Sequence, residues 1–485
     1  MTAAIDPEQT RIALAQLPKG TSHADSPDLA QVYLPPSHLK AMDPDNMLVT
    51  GMRGAGKTFW WGALQEPDIR QLIDRTNRDS TLSENTEVRT GFGVRPAPDD
   101  YPDKDVLRRL LLDGAEPRTI WRAVQAWQLA GDDHPIRRQE SWKERLNLVD
   151  REPEAIARLF LERDNEFHEE GIHLLLLFDA LDRCSDDWRD MYRLIRGLMQ
   201  TALDMRSYRR LRVKMFLRSD QVDETQIADF PDASKVLSSA VDLSWPASEL
   251  YGLLWHSLIN GAHGQEFRTF IADSNWHPIQ IGEKQLFSVS RRLISKDDLQ
   301  RERFHSVSGP FMGRNRRRGF PYTWIPNHLG DTEKRVSPRS FLRALRTAAE
   351  ETAEHYPEHK FALHYESIKR GVQAASKTRV NEVKEDYPWV DRLLICLEGM
   401  TVPCKFEEVE ERWNEHRVLD RLSEDVEQGE VKLPPRHIED GARGIRLDLE
   451  TLGVFLRMRD DRVNIPDVFR VGYRLGRKGG VRVAR

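Results

Sequence analysis

The chemistry in this sequence is concentrated in one glycine-rich stretch. Residues 51–58, Gly-Met-Arg-Gly-Ala-Gly-Lys-Thr, match the pattern GxxxxGK(S/T) and follow a short apolar run. Glycines let consecutive backbone N–H groups turn toward phosphate oxygens, and a helix N-terminus adds positive potential. In this pattern the lysine reaches the β and γ phosphates, and the final hydroxyl coordinates Mg²⁺. The stretch predicts a site for ATP and Mg²⁺ made of Gly51, Gly54, Ala55, Gly56, Lys57 and Thr58, with Thr58 as a metal ligand.

A carboxylate that completes such a site is expected at the end of another buried strand. Residues 174–178 are four leucines and a phenylalanine, and Asp179 follows them directly. We therefore predict that Asp179 holds Mg²⁺, directly or through a water molecule. Asp182 lies in the next turn of the chain and has two open interpretations. It orients the attacking water as a base, or it caps the helix that begins after Ser185.

Two arginines are candidates for contacting the transferred phosphate. Arg218 and Ser219 follow the apolar run 211–217, and groups just beyond the carboxyl ends of parallel strands face the ligand crevice. The alternative for this pair is an ordinary solvated loop. Arg339 stands at the start of a helix opened by Pro338, where its guanidinium could act as an arginine finger does. The candidate catalytic residues are therefore Asp179, Asp182, Arg218 and Arg339.

These residues need a scaffold of alternating strands and helices. Apolar runs at residues 47–50 and 172–178 and β-like segments at 88–94, 211–217 and 241–245 predict five strands. Helical periodicity appears at residues 105–112, 119–129, 153–167, 188–208, 247–259 and 361–384. Strands alternating with helices indicate right-handed βαβ units. The predicted fold class is α/β: a P-loop NTPase core with a parallel sheet, a helical lid and a C-terminal winged helix.

The length of 485 residues implies several domains, because one hydrophobic core stops growing near ~250–300 residues. We expect an N-terminal arm at 1–40, a P-loop NTPase core at 41–260, an irregular basic insert at 261–335, a helical lid at 336–384, and a winged-helix-like domain with a basic tail at 385–485. The last assignment rests on short amphipathic helices at 389–398, 406–413 and 447–452, followed by a hairpin at 454–465.

Basic residues cluster in two places outside the phosphate loop. The segment 313–319 has four arginines without an acidic neighbour, Arg314, Arg316, Arg317 and Arg318. It is either a solvated loop or a contact for phosphate or a polynucleotide. The winged helix could bring five arginines near DNA phosphates, namely Arg443, Arg446, Arg457, Arg459 and Arg462. The alternative for the winged helix is a packing role against the ATPase or a partner protein.

Composition excludes several classes of protein. Apolar residues make up 39% and charged residues 31%, which is typical of a chain with buried cores rather than a disordered one. Three scattered cysteines cannot form a disulfide framework. The aliphatic runs are too short to cross a membrane, and the N-terminal residues lack the pattern of a secretory signal. We expect a cytoplasmic protein that does not bind membranes.

A family resemblance rests on the segment that contains Asp179 and Asp182 and on the segment around Arg339. Residues 178–184, Phe-Asp-Ala-Leu-Asp-Arg-Cys, resemble the signature of the KAP P-loop NTPases, which are relatives of the STAND and AAA+ groups. Residues 336–342, Val-Ser-Pro-Arg-Ser-Phe-Leu, are similar to the sensor-2 helix of AAA+-like ATPases, whose arginine touches the nucleotide. The resemblance covers residues 40–350. It implies binding of ATP or GTP with Mg²⁺, switch-like hydrolysis, and, as for many bacterial members, a place in antiphage or other conflict systems.

The sequence departs from that family at two points. Members commonly contain membrane helices within the NTPase domain, and this sequence shows none. The second of two consecutive acids in the family signature is Ala180 here. If that acid polarises the attacking water, hydrolysis must use Asp182, use a group from a neighbouring subunit, or be slow.

Three functions follow from these features. The first is a nucleotide-controlled switch ATPase in a bacterial antiphage system, acting on a separate effector protein. The second is a DNA-dependent AAA+-like ATPase that remodels a nucleoprotein complex. The third is a nucleotide-binding scaffold that hardly hydrolyses. Double-stranded DNA and a second copy of the chain are further candidate partners, and the sequence leaves the choice between ATP and GTP open.

Overall fold

The computed structural model describes residues 5–19, 27–77, 82, 85–222, 224–271, 276 and 278–477. These residues form two compact units. The sheet unit contains the described residues of 27–52 and 56–243, and the helical unit contains those of 5–19, 53–55 and 244–477. Among the described residues, none of the helices combines the length and apolar content that crossing a bilayer requires.

The helices of the described residues are, in chain order, α1 (Pro7–Ala15), α2 (Leu39–Met42), α3 (Lys57–Gln65), α4 (Pro67–Thr76), α5 (Lys104–Leu112), α6 (Pro117–Leu129), α7 (Trp142–Arg151), α8 (Pro153–Glu169), α9 (Trp188–Met205), α10 (Glu224–Ile227), α11 (Ala233–Leu237), α12 (Ala247–Ile259), α13 (Gly264–Ile271), α14 (Arg291–Ser295), α15 (Asp297–Ser308), α16 (Pro321–Leu329), α17 (Pro338–His355), α18 (Tyr365–Asp386), α19 (Pro388–Ile395), α20 (Phe406–Glu415), α21 (Val418–Glu427), α22 (Gly441–Thr451) and α23 (Asp467–Arg470).

The strands are β1 (Leu48–Gly51), β2 (Thr86–Phe92), β3 (His173–Phe178), β4 (Leu211–Arg218), β5 (Val241–Asp242), β6 (Pro278–Ile281), β7 (Lys284–Phe287), β8 (Thr401–Val402), β9 (Leu456–Arg457), β10 (Val463–Asn464) and β11 (Gly476–Arg477). The first five form one parallel sheet in the order β2-β3-β4-β1-β5. The predicted α/β fold class is therefore confirmed.

Burial on both faces explains why the central strands could be recognised in the sequence. The leucines of β3 are wholly inaccessible to solvent, and the aromatic rings of Phe92 and Phe178 each pack edge-on against the indole of Trp121 from α6. Such strands appear as unbroken apolar runs because neither face meets water. The register places Gly51 of β1 beside Arg218 of β4. The carboxyl ends of β1, β3 and β4 therefore meet at one edge of the sheet.

The helical unit has a core of stacked aromatic side chains. Tyr251 of α12 stacks on Tyr322 of α16 with ring centroids 4.3 Å apart, and its other neighbours include Phe304 and Phe341. The Tyr251 hydroxyl donates to the carbonyl of Tyr322 at 2.8 Å. Helix α18 begins at Tyr365 rather than at 361, because the His364 side chain accepts from the N–H of Glu366 and so caps the helix.

The segment 261–335 differs from the expected irregular insert. It contains helices α13 to α16 and the antiparallel hairpin of β6 and β7. Most of these helices are short, and α16 contains Pro326 in its interior, so their periodicity in the sequence is weak. The domain boundaries themselves stay predictions.

The C-terminal part of the helical unit has the predicted winged-helix plan. Helices α19, α20 and α22 are followed by the antiparallel hairpin of β9 and β10, and Cys404 pairs with Val463 of that hairpin as a β-bridge. Helix α21, at Val418–Glu427, is an additional helix that the sequence analysis missed. The predicted basic tail begins at Pro466, and its part after Arg477 lies outside the described residues. In the described part, Arg470 is buried and pairs with Asp467 at 2.7 Å, and Arg474 pairs with Glu398 at 3.2 Å.

Candidate functional site

The phosphate loop runs from the end of β1 to the start of α3 at Lys57. Gly54 and Gly56 have φ angles of 81° and 108°, a region that side-chain-bearing residues rarely adopt. A Cβ added to Gly54 would stand 2.5 Å from the hydroxyl oxygen of Ser337, so this position needs glycine for space as well. The two glycines therefore allow the loop to turn directly into the helix N-terminus, as anion binding requires.

Lys57 is held at the mouth of this loop by main-chain carbonyls. Its Nζ donates to the carbonyl oxygens of Gly51 at 2.7 Å and Met52 at 2.9 Å. Burial is the largest cause that lowers the pKa of Lys57 to about 8, and the positive charge of Arg218 lowers it further. The negative charge of Asp179 acts in the opposite direction. Most Lys57 side chains thus keep their charge at neutral pH, available to a phosphate.

Asp179 is the buried carboxylate of the site, with 2% of its surface exposed. It follows β3 and is fixed by its own N–H, which donates to the carbonyl of Phe92 on β2 at 3.0 Å. Burial raises the pKa of Asp179 to about 6, against hydrogen bonds from the Thr58 hydroxyl and from the N–H of Ala180, which lower it. At neutral pH a carboxyl with such a pKa is mostly charged, and because burial disfavours that charge, a bound cation stabilises it.

Thr58 and Asp179 fit a magnesium ion. The Thr58 hydroxyl donates to Asp179, while Oδ2 of the same carboxylate is buried and accepts no hydrogen bond from the described residues. Buried carboxylate oxygens are rarely left without a partner, so this oxygen has an unused acceptor position inside the site. Mg²⁺ bound with a nucleotide typically takes one or two protein oxygens and completes its shell with phosphates and water. The Thr58 and Asp179 pair supplies those two oxygens.

Arg218 and two more carboxylates lie within electrostatic reach of Lys57. Arg218, at the end of β4, pairs with Asp220 at 2.8 Å and with Asp182 at 4.0 Å. Asp179, Asp182 and Asp220 all act on the charge of Lys57. The structure therefore brings together the predicted residues Lys57, Thr58, Asp179, Asp182 and Arg218. Their catalytic roles stay predictions.

Ser219 lies on a different network. Its hydroxyl donates to Asp242 of β5 at 3.3 Å, and the Thr50 hydroxyl of β1 donates to the same carboxylate oxygen at 3.2 Å. Of the pair predicted at the end of β4, only Arg218 pairs with a carboxylate of the site. Asp220 and Asp242 were not predicted as functional residues. The only signal for them was their position next to the carboxyl ends of strands.

Ala180 adopts the left-handed conformation, with φ 58° and ψ 30°. This costs an alanine on the order of 1 kcal/mol, whereas Asp and Asn tolerate it better. The strained turn lies between Asp179 and the short 3₁₀ helix Leu181–Arg183, which contains Asp182. It therefore sets the direction in which the chain leaves Asp179.

Residues 53–55 of the phosphate loop belong to the helical unit. Within it, the Ser337 hydroxyl donates to the carbonyl of Gly54 at 3.2 Å, and the indole N–H of Trp245 donates to the carbonyl of Ala55 at 2.8 Å. Arg53 donates to the carbonyl of Glu382 at 2.7 Å and pairs with Glu385 at 2.6 Å. Every residue of this loop tip thus has a hydrogen-bonding partner, and none of these contacts was predicted.

Arg339 belongs to the same network in the helical unit. Its guanidinium donates to Glu382 at 3.1 Å, and Arg379 binds the other oxygen of that carboxylate at 3.1 Å. Glu382 is buried, whereas the Arg339 side chain is 40% exposed. Arg339 follows Ser337, the residue that contacts Gly54, by two positions. Arg339 is therefore separated by one residue from a side chain that contacts the phosphate loop.

Comparisons with known proteins add a distant likeness. No family model matches this chain, and no curated protein is similar to it. Among solved structures it is similar to Cdc6p from Pyrobaculum aerophilum, with a TM-score of 0.32, 11% identity, and coverage of 91% of this chain and 94% of that one. It is also similar to the ORC2 protein of Aeropyrum pernix in ADPNP-ADP complexes, with a TM-score of 0.36, 12% identity, and coverage of 87% and 84%. At these scores no functional argument rests on the likeness.

Proposed function

We propose that this protein is a Mg²⁺-dependent P-loop ATPase. The single observation that supports this most is the pair formed by Thr58 and Asp179, whose second carboxylate oxygen is buried and has no partner among the described residues. Together with Lys57 on a glycine loop, this is the set of groups that binds a metal-nucleotide complex. Within the proposal, Mg²⁺ held by Thr58 and Asp179 neutralises charge on the transferred phosphate.

Lys57, Arg218 and Asp182 have separate roles in this proposal. Lys57 exchanges its two carbonyl partners for phosphate oxygens, which are stronger acceptors because they are charged. Arg218 is fixed by Asp220 and adds a second cation next to Lys57. Asp182 is the remaining carboxylate of the site with an exposed part, 29% of its side chain, and it takes the role of orienting the attacking water.

Replacing Asp182 with asparagine should slow phosphate release about 100-fold, the range for loss of a general base, while ATP binding changes less than about threefold. The physical reason is that Asn keeps the size of the side chain but carries no negative charge and cannot accept the proton. Phosphate release and equilibrium binding of a fluorescent ATP analogue measure the two effects separately.

Ala180→Asp is the matched comparison for Asp182, because it adds a carboxylate where the backbone already suits one. If Asp182 serves as the base, Ala180→Asp leaves the parent rate within about threefold. A parent that binds ATP without turnover, and gains turnover only with Ala180→Asp, would instead support the nucleotide-binding scaffold.

Arg339→Ala should lower phosphate release at least about tenfold, because we propose that this guanidinium contacts the γ-phosphate in the transition state. Arg339→Lys should recover only part of the rate, since an ammonium lacks the planar fork of arginine. Arg346→Ala is a control on the same helix, because Arg346 lies nine positions after Ser337 and pairs with Glu350 at 3.9 Å. An Arg339→Ala enzyme with parental turnover would remove Arg339 from the mechanism.

Regulation by nucleotide follows only if two states of the protein bind it with different affinity. We propose that hydrolysis switches such states and that the switch acts on a separate effector protein. The assignment to a bacterial antiphage system is supported by the resemblance of residues 178–184 to the KAP signature. Self-association is part of the same proposal, because related sites are often completed by a neighbouring subunit. The cytoplasmic location stays a prediction.

A further inference from the structure

The segment 313–319, called here the arginine turn, is an ordered part of the helical unit. The N–H of Met312 donates to the carbonyl of Gly319 at 2.9 Å and closes the turn, and the side chain of Asn315 accepts from the N–H of Arg317 at 3.1 Å. Gly313 and Gly319 have φ angles of 154° and 91° at its two ends. These contacts fix the backbone, so binding a ligand here would not require the turn to be ordered first.

The four guanidinium groups of the arginine turn are exposed and have no acidic partner. Arg314, Arg316, Arg317 and Arg318 are all exposed, and none of them is within 4.0 Å of a carboxylate of the described residues. Asn315, the remaining residue between the two glycines, is neutral. The turn is therefore a compact cluster of four uncompensated positive charges.

In the hairpin of β9 and β10, which the sequence analysis considered for DNA contacts, two arginines pair with carboxylates. Arg457 pairs with Asp461 at 2.8 Å and Arg462 pairs with Asp460 at 2.7 Å. Arg446 of α22 also pairs with Asp461, at 3.0 Å. Three of the five arginines predicted near DNA are thus neutralised by carboxylates. The arginine turn, in contrast, has four arginines with no carboxylate partner among the described residues.

The surroundings of the arginine turn are aromatic and positive. Phe320 follows the turn, and its ring lies 5.8 Å from the guanidinium carbon of Arg316 and 5.8 Å from the ring of Phe311. His305 of α15 stacks on Phe320 with 15° between the ring planes. Burial and the nearby charge of Arg301 both lower the pKa of His305.

We propose that the arginine turn binds the phosphate backbone of a nucleic acid. Arginine presents a planar fork of donors that matches phosphate, and all four cations of the turn are arginines rather than lysines. Closely spaced cations suit the regular negative charge of a polynucleotide, and the half-buried aromatic rings of Phe311 and Phe320 beside them leave ring surface for unpaired bases. Such contacts with phosphates position the nucleic acid and add affinity, but they do not recognise its bases. It does not depend on the proposed ATPase activity.

Fluorescence anisotropy on the full-length protein tests this proposal. The probes are a labelled 30-base-pair duplex and the corresponding single strand, each titrated over a range of salt concentrations. Arg316→Gln/Arg317→Gln removes two charges from the turn, and Arg457→Gln/Arg462→Gln removes two from the hairpin. The two variants have the same net charge, so a difference between them reports position rather than total charge.

We expect the turn variant to bind at least about tenfold more weakly than the parent. The slope of the logarithm of the binding constant against the logarithm of the salt concentration should become shallower by about 0.9 for each lost phosphate contact. The hairpin variant should bind within about twofold of the parent, because its arginines are already paired. The ratio of duplex to single-strand affinity tells which form of nucleic acid is preferred. Unstimulated ATP hydrolysis should be the same in the turn variant and in the parent.

Any of the following results would overturn the proposal that the arginine turn binds nucleic acid. One is a parent that binds neither probe, and another is a turn variant with parental affinity. The third is displacement of the labelled duplex by polyglutamate as readily as by unlabelled duplex, which would assign the turn to an acidic protein surface. A hairpin variant that loses binding while the turn variant keeps it would transfer the contact to the winged helix, and so would also reject the arginine turn.

Discussion

Replacing Lys57 with alanine should weaken binding of Mg-ATP about 100-fold or more and reduce phosphate release to background. The ammonium of Lys57 lies at the mouth of the phosphate loop, and its hydrogen-bond partners among the described residues are two main-chain carbonyls. Alanine removes the charge that would meet the β and γ phosphates and leaves the rest of the loop in place. Isothermal titration calorimetry with Mg-ATP and a phosphate-release assay measure the two losses.

Lys143→Ala is the matched control for that substitution. Its side chain is 65% exposed and pairs with Asp113 at 3.0 Å, so the same change of charge occurs on the surface. We expect parental binding and turnover in the control. Parental ATP binding by the Lys57 variant would show that residues 51–58 are a glycine turn without a ligand.

Asp179→Asn should abolish Mg²⁺-dependent hydrolysis and at the same time raise the melting temperature of the protein without nucleotide. Burial raises the pKa of Asp179 to about 6 from an ordinary value of 3.8, so ionisation is less favourable in the folded protein than in the unfolded chain. Between these two pKa values the folded state binds more protons, and the free energy of unfolding falls as the pH rises. Asparagine never ionises and avoids this loss, which is on the order of 3 kcal/mol at neutral pH.

The pH dependence separates this explanation from a general packing effect. The stabilisation by Asp179→Asn should be fully developed above pH 6, decline between about pH 6 and pH 4, and disappear below that range. Thermal denaturation at pH 4 and pH 7.5 measures it. Asp229→Asn is the control, because that side chain is 83% exposed. An Asp179→Asn protein less stable than its parent at pH 7.5 would contradict the account of the buried carboxylate.

The sequence was sufficient to predict those strands and helices whose buried residues form a clear pattern within one continuous segment. Strand β3 contains a continuous apolar run because both of its faces are covered, and α12 was predicted with the boundaries it has in the structure. The rule that polar groups at the carboxyl ends of parallel strands meet at one edge then placed Asp179 and Arg218 near the phosphate loop. The register of Gly51 beside Arg218 agrees with that rule.

The remaining features depend on contacts between residues far apart in the sequence. The pairing of Arg53 with Glu385, and of Arg446 with Asp461, is decided by how helices and hairpins pack, which no local pattern encodes. The same limit applies to 261–335, where helices of a few turns leave little periodicity. For this reason the sequence could not show that Arg457 and Arg462 of the hairpin pair with carboxylates, whereas the four arginines of the arginine turn have no carboxylate partner among the described residues.

The central claim is that the site formed by Lys57, Thr58 and Asp179 hydrolyses ATP with Mg²⁺. The most direct test is phosphate release by the purified parent protein with Mg-ATP, run beside Lys57→Ala and Asp182→Asn, with and without duplex DNA. We predict turnover by the parent, none by Lys57→Ala, and a rate about 100-fold below the parent for Asp182→Asn. A parent that binds ATP and releases no phosphate under either condition would contradict the claim and leave a nucleotide-binding scaffold.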